Sequence, residues 1–295
     1  MNNRSVALKT WRVMLCVVAV LLAVMPSCRQ GKPSVSPHDE RYAQLDSTIA
    51  LIRDVDSLAV LARQSHEQND LMGEMLALRH LGFLLHDQAL YNKSIDSHNA
   101  ALAIATNLAD TIEMVAALNG LGSSYRRISD LTTANGHYIK ALKLVDAYSG
   151  RDLDEVMQLR ASTLNGIGNV EMEFCNFRAA DSVLRVALKT ELDLNDTHGA
   201  ALNYGHLGNV KRMIGQIDSA WMYYRKSMEL NQKANTSRGV AMCHQHFGEL
   251  EEDSRHFSRA LEEYKLAYDA LARQGRPRSR SSGAVRCADC PQSRG

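Results

Sequence analysis

The sequence predicts an all-α fold, a solenoid of tandem helix-turn-helix units with a period near 40 residues, on three observations. Glycines recur at Gly82, Gly122, Gly168, Gly208 and Gly248, separated by 40, 46, 40 and 40 residues, and a period of this size marks an array of stacked units. Each glycine is followed twelve residues later by a small residue (Ser94, Ala134, Ala180, Ala220, Ala260) and nineteen later by another (Ala101, Ala141, Ala187, Ser227, Ala267). No segment sustains the period-two alternation of a strand bounded by turns.

The chain opens with Arg4, Lys9 and Arg12 ahead of an apolar run from Val13 to Met25, then Pro26-Ser27-Cys28. A basic start, a short hydrophobic core and small residues at its end read as an export signal over 1–27. The run falls short of the roughly 20 residues that a membrane-spanning helix needs. A cysteine at this place resembles the lipobox of bacterial lipoproteins, although Met25 and Pro26 depart from its commonest residues. That resemblance implies lipidation of Cys28. Residues 28–39 are polar and contain prolines, as a tether would. Arg29 stands where an aspartate is associated with inner-membrane retention, so the expected place is the outer membrane, facing the periplasm. Residues 40–70 hold a helical pair without the glycine (Leu51, Leu58, Leu61, Ala62), expected to be a degenerate capping unit.

The five units from 71 to 272 share one logic. Ala116, Ala117, Leu121 and Tyr125 recur at three- and four-residue steps, giving a first helix one apolar face. Asp130-Leu-Thr-Thr reads as a turn and helix start. The second helix then carries Ala134, Tyr138, Ala141, Leu142 and Val145 on one face. A glycine inside a helix costs about 1 kcal/mol against alanine, so its repetition predicts a packing gain. The expectation is close backbone approach where Gly122 and Ala134 cross. Strings such as LGFLLHDQALYNKSIDSHNAAL (81–102) and LGNVKRMIGQIDSAWMYYRKSM (207–228) resemble the tetratricopeptide repeat. The leucine-glycine pair and the large residue opening the second helix (Tyr91, Leu131, Phe177, Ile217, Phe257) carry the likeness over residues 72–270. It implies a right-handed α-solenoid. The period of 40 in place of the family's 34 predicts two helices lengthened by about three residues each.

From Arg273 the pattern stops. The last 23 residues hold six arginines and one acid, with no helical periodicity. The abrupt change points to a frameshift product truncating a longer protein, against the alternative of a natural disordered basic tail. The tail carries a net charge of +5 and the first 28 residues +3 in a chain of +1, so the body between is acidic. That is unlike the basic stripe of a nucleic-acid binder, and no nucleic-acid partner is expected. Cys175 and Cys243 are expected to be buried small apolar residues. Cys287 and Cys290 form a lone CxxC, without the second ligand pair zinc requires or the βαβ context of a redox motif.

No GxSxG, GxxxxGK or HExxH motif is present. No catalytic residue, metal or cofactor is expected, and His244, His246 and His256 read as surface and groove polarity. The tetratricopeptide resemblance implies a concave face lined by first helices, which would hold a peptide or protein segment. On this chain it would include Asn119, Arg126, Asn165, Asn169, Asn209 and Arg212. Asparagine amides both donate and accept, so they can pair with an extended backbone, and the arginines can hold a carboxylate. The ladder would cover only the middle, since Phe83 and Glu249 occupy its outer slots. The expected function is a non-enzymatic peptide- or protein-binding scaffold, lipid-anchored in the bacterial envelope. The alternative is the periplasmic sensory half of a transmembrane regulator of the kind found in Bacteroides-type bacteria, its output domain missing.

Overall fold

The computed structural model describes residues 37–149 and 153–275, which form twelve helices and no strand. The export signal, Cys28, most of the tether, Cys287 and Cys290 lie outside the described residues. The helices are α1 (Pro37–Ile49), α2 (Val55–Glu67), α3 (Leu71–Asp87), α4 (Tyr91–Asn107), α5 (Thr111–Arg127) and α6 (Leu131–Asp146). They continue as α7 (Leu153–Glu173), α8 (Phe177–Asp193), α9 (Thr197–Met213), α10 (Ile217–Lys233), α11 (Ser237–Asp253) and α12 (Phe257–Gly275). This is the all-α, tetratricopeptide-type fold, with α3 to α12 as five first-and-second helix pairs. None of these helices is long and apolar enough to cross a membrane. The chain divides into two compact units, residues 1–196 and 197–295, a division the repeat pattern does not announce. The six extra residues between Gly122 and Gly168 fall around the α6–α7 connection, and α7 runs to 21 residues.

The turn inside each pair is built on backbone hydrogen bonds. After α3, Ala89 N–H donates to His86 C=O (2.9 Å) and Leu90 N–H to Leu85 C=O (2.9 Å). These are the two bonds of a Schellman ending. The same pair of bonds recurs at Ser129 and Asp130, Cys175 and Asn176, Gly215 and Gln216, and Arg255 and His256. The central residue is left-handed each time, with φ of 60° at Ala89, 65° at Ser129, 60° at Cys175, 74° at Gly215 and 60° at Arg255. Aspartates then start several helices, Asp70, Asp110 and Asp130 each accepting a backbone N–H three residues on.

Cys175 is therefore exposed in a turn, and the expectation of burial is corrected: its slot is set by backbone conformation, with no core to enter. Cys243 is buried, between Ser227 and Asn231. A left-handed alanine or arginine pays a Cβ penalty of about 1–2 kcal/mol, partly offset by the entropy that glycine adds to the unfolded chain. Ala89→Gly and Arg255→Gly should each raise stability by about 0.5–1 kcal/mol in urea unfolding. A loss at both positions would contradict the turn assignment.

Within each unit the core sits between the helices of a pair and against the first helix of the next pair of the same unit. In unit 1, Ile95, Val115, Leu118, Leu121, Val145 and Val156 cluster across α4, α5, α6 and α7. In unit 2, Tyr224, Met228, Cys243, Phe247 and Leu250 cluster across α10 and α11. The repeated glycines are explained within this packing. A Cβ on Gly122 would lie 2.7 Å from the Tyr138 ring, one on Gly208 2.3 Å from Tyr224, one on Gly248 2.5 Å from Tyr264. His98 fills the same place at Gly82, and Leu184 at Gly168. So the glycine seats the large side chain sixteen residues later, rather than a second backbone as the sequence suggested. The small residue twelve later does meet the first helix, since the buried Ser94 hydroxyl donates to Gly82 C=O at 2.7 Å.

Candidate functional site

Residues three before, one after and four after each repeat glycine share one stripe of the first helix, because their spacing of four and three follows the helical period. The sequence-predicted residues occupy this stripe. In unit 1 it carries Asn119, Ser123 and Arg126 on α5, then Asn165, Asn169 and Met172 on α7. In unit 2 it carries Asn209 and Arg212 on α9, then Gln245, Glu249 and Glu252 on α11.

The side chains on the stripe are tied to one another. In unit 1, Asn119 Oδ1 accepts from the Thr163 hydroxyl at 2.9 Å, while its Nδ2 is buried without a hydrogen-bond partner. Asn169 Nδ2 donates to Asn165 Oδ1 at 3.0 Å. Asn165 is itself only 7% exposed, so of this amide pair Asn169 is the member that solvent reaches. Arg126 donates to Glu173 at 2.5 Å and also reaches the Tyr138 hydroxyl, whose pKa burial pushes up to about 12.

Unit 2 repeats the arrangement with different partners. The Tyr224 hydroxyl donates to Asn209 Oδ1 at 2.6 Å. Arg212 places one Nη 2.9 Å from Asp253 Oδ2 and the other 3.1 Å from Glu249 Oε2. Burial opposes its charge, and these two carboxylates outweigh that and hold its pKa above the ordinary value. In both units, then, an arginine four residues past the repeat glycine is held by carboxylates of the following first helix. Arg126 and Arg212 keep 23% and 22% of their side-chain surface open. Each is a preformed, half-open cation whose counter-ion a ligand carboxylate can replace.

Sequence reasoning missed a second polar group in unit 1. Glu113, 2% exposed on α5, accepts from the Tyr42 hydroxyl of α1 and lies 3.1 Å from Arg79 Nε of α3. Arg79 also pairs with Asp46, which His80 Nε2 approaches at 2.7 Å. Burial raises the Glu113 pKa, against the pull of Arg79. Arg79 stands three residues before Gly82, the slot of Asn119 and Asn165, and that register was the available signal. Glu113 had none, since an acid in a first turn reads as a dipole partner.

The histidines separate. His244 and His256 pair with Glu263 and Glu251, whereas His246 stacks on Tyr224 at 4.7 Å between ring centroids, so it belongs to the packing and not to groove polarity. Among the described residues no three His, Cys, Asp or Glu side chains converge on a metal position.

No family model matches this sequence, and no curated protein matches it. Solved structures do share the fold. BtubC (BKLC) from P. vanneervenii aligns with a TM-score of 0.55 at 17% identity, over 84% of this chain and 99% of that one. The Rap conjugation gene regulator of plasmid pLS20, solved with a Phr peptide, aligns at 0.60 and 17% identity, over 72% of this chain and 56% of that one. A Rap protein complexed with competence and sporulation factor aligns at 0.53 and 11% identity, covering 93% and 89%.

Proposed function

We propose that this chain is a non-enzymatic scaffold that binds a peptide or protein segment along its first-helix stripes, held at the bacterial cell envelope by a lipid on Cys28. The observation that carries the binding reading is the half-open arginine on the stripe of each unit, Arg126 and Arg212, each held by carboxylates of the next repeat. An extended peptide supplies both things these stripes accept: a carboxylate for the guanidinium and backbone amides for Asn169 and its neighbours. Two structures of this fold were solved with Rap ligands, a Phr peptide and competence and sporulation factor, which supports a peptide as the class of ligand. The envelope reading rests on the basic and apolar start that ends at Cys28.

The test is selection of a random peptide library on the purified chain, with affinities of the selected peptides read by fluorescence anisotropy. Arg126→Ala or Arg212→Ala should weaken binding about tenfold, the loss of one charge-assisted contact. Peptides whose affinity neither variant changes, or no selected peptide at all, would overturn the binding reading. Labelled palmitate should enter the wild-type chain and not Cys28→Ser; equal labelling would overturn the anchor alone.

A further inference from the structure

We infer that α1 is a built-in competitor for the first-helix stripe of unit 1: it fills the α3 end of that stripe with its own carboxylate, and a peptide ligand gains Arg79 by displacing it. The inference rests on the peptide-binding reading of the stripes. Arg79 stands three residues before Gly82, in the slot of Asn119 and Asn165, and is the cation that α3 contributes to the stripe. α1 packs on α3 and sets Asp46 against the Arg79 guanidinium. Tyr42, one turn earlier on α1, donates to Glu113 of α5, and Arg41 pairs with Asp70 at 2.8 Å. A segment of the chain thus holds the place where a ligand carboxylate would sit.

The contact is built to exchange. Arg79 lies between two carboxylates of unequal burial: Glu113, 3.1 Å away with 1% of its side chain exposed, and Asp46, with 33% exposed. When α1 leaves, the buried Glu113 keeps its cation, so no charge is stranded in the core. Arg79 is left with an open side that an incoming carboxylate can take. The hold of α1 on the unit is small. Among its described side chains Leu45 and Ile49 are the buried ones, against eight buried residues on α3. A helix of 13 residues has little stability of its own, and elements so lightly anchored open locally while the rest of the fold persists. Joined to α2 by residues 50–54, α1 competes at an effective concentration on the order of millimolar.

The test uses the full chain, its Tyr42→Ala/Asp46→Arg variant and a fluorescein-labelled synthetic peptide of residues 37–52. The variant removes the bond to Glu113 and sets a like charge against Arg79. Hydrogen exchange should find its α1 exchanging about tenfold faster than in the wild type, with α3 to α6 unchanged. Lost protection in α3 to α6 would make α1 a structural part of the unit 1 core and overturn the inference. By anisotropy the labelled peptide should bind the variant about tenfold tighter than the wild type, and Asp46→Asn in the peptide should remove that gain. Peptides selected from a random library on the variant should also bind it about tenfold tighter than the wild type, and the unlabelled 37–52 peptide should displace them. A 37–52 peptide that does not bind the variant, or selected peptides that bind both chains equally, overturns the competition and leaves the peptide-binding reading standing. No selected peptide on either chain overturns that reading, and the competition with it.

Discussion

Gly122→Ala should destabilise unit 1 by about 1–3 kcal/mol, the usual range for forcing atoms into a filled core. Helix propensity alone predicts the opposite sign, a gain of about 1 kcal/mol for replacing an interior helical glycine by alanine. Packing decides, because the added Cβ would lie 2.7 Å from the Tyr138 ring, a separation real contacts do not reach. The ring has no room to retreat: on its other face a Cβ on Gly166 would lie 2.2 Å away. Tyr138 is thus clamped between two first helices, α5 and α7. Gly122→Ala/Gly166→Ala should therefore cost more than either change alone. In a background of Tyr138→Ala, which itself empties the slot, Gly122→Ala should become neutral or stabilising. Urea unfolding of the four variants closes the cycle. Additivity between Gly122→Ala and Tyr138→Ala would refute the assignment of the glycine as a ring seat.

What the sequence made legible was periodicity. The glycines and the small residues at twelve and nineteen placed the helix pairs, and the left-handed turn residues Ala89, Ser129, Cys175, Gly215 and Arg255 recur at the same intervals. Those turns could not be read individually, because only Gly215 is of a type that marks the conformation. The backbone bonds of the Schellman ending impose it on the other four, and Cys175 was misplaced for this reason. The partner of each glycine was hidden in the same way. His98, Tyr138, Leu184, Tyr224 and Tyr264 share bulk and not chemistry, so no pattern of residue type reveals them. For the candidate site, helical spacing put Asn119, Arg126, Asn165 and Asn169 on one stripe, and Asn209 and Arg212 on its counterpart. Spacing did not tell which side chains they touch. Arg126 meets Glu173, 47 residues on, and Arg212 meets Asp253, 41 residues on. Such pairings depend on how far a long side chain reaches across to the next repeat.

His98→Leu should stabilise unit 1 at neutral pH and do so increasingly as the pH falls. His98 is fully buried, with neither ring nitrogen hydrogen-bonded, between Gly82, Gly120 and the edge of Phe83. Leucine already fills this place at Leu184, against Gly168. Leaving a buried polar group unsatisfied costs about 1–3 kcal/mol, which the apolar replacement recovers. The pH dependence follows from the charge. Burial, with the cations of His86 and Arg79 adding to it, lowers the His98 pKa to about 3. In the unfolded chain the value is about 6.5. Between those two values the unfolded state holds a proton that the folded state refuses. Stability on this account is whole above about pH 6.5 and declines with acidification, by up to about 1.4 kcal/mol per pH unit. At pH 5 the loss reaches about 2 kcal/mol. Glu191 acts with the opposite sign, because burial and the adjacent Asp196 carboxylate raise its pKa to about 7. Its contribution is whole below the unfolded value and falls as the pH rises toward 7, so the raw pH profile of the wild type mixes the two. The difference between wild type and His98→Leu removes Glu191 and every other shared group. That difference should grow from pH 7 to pH 5; if it stays flat, His98 is hydrogen-bonded or solvated in the folded chain.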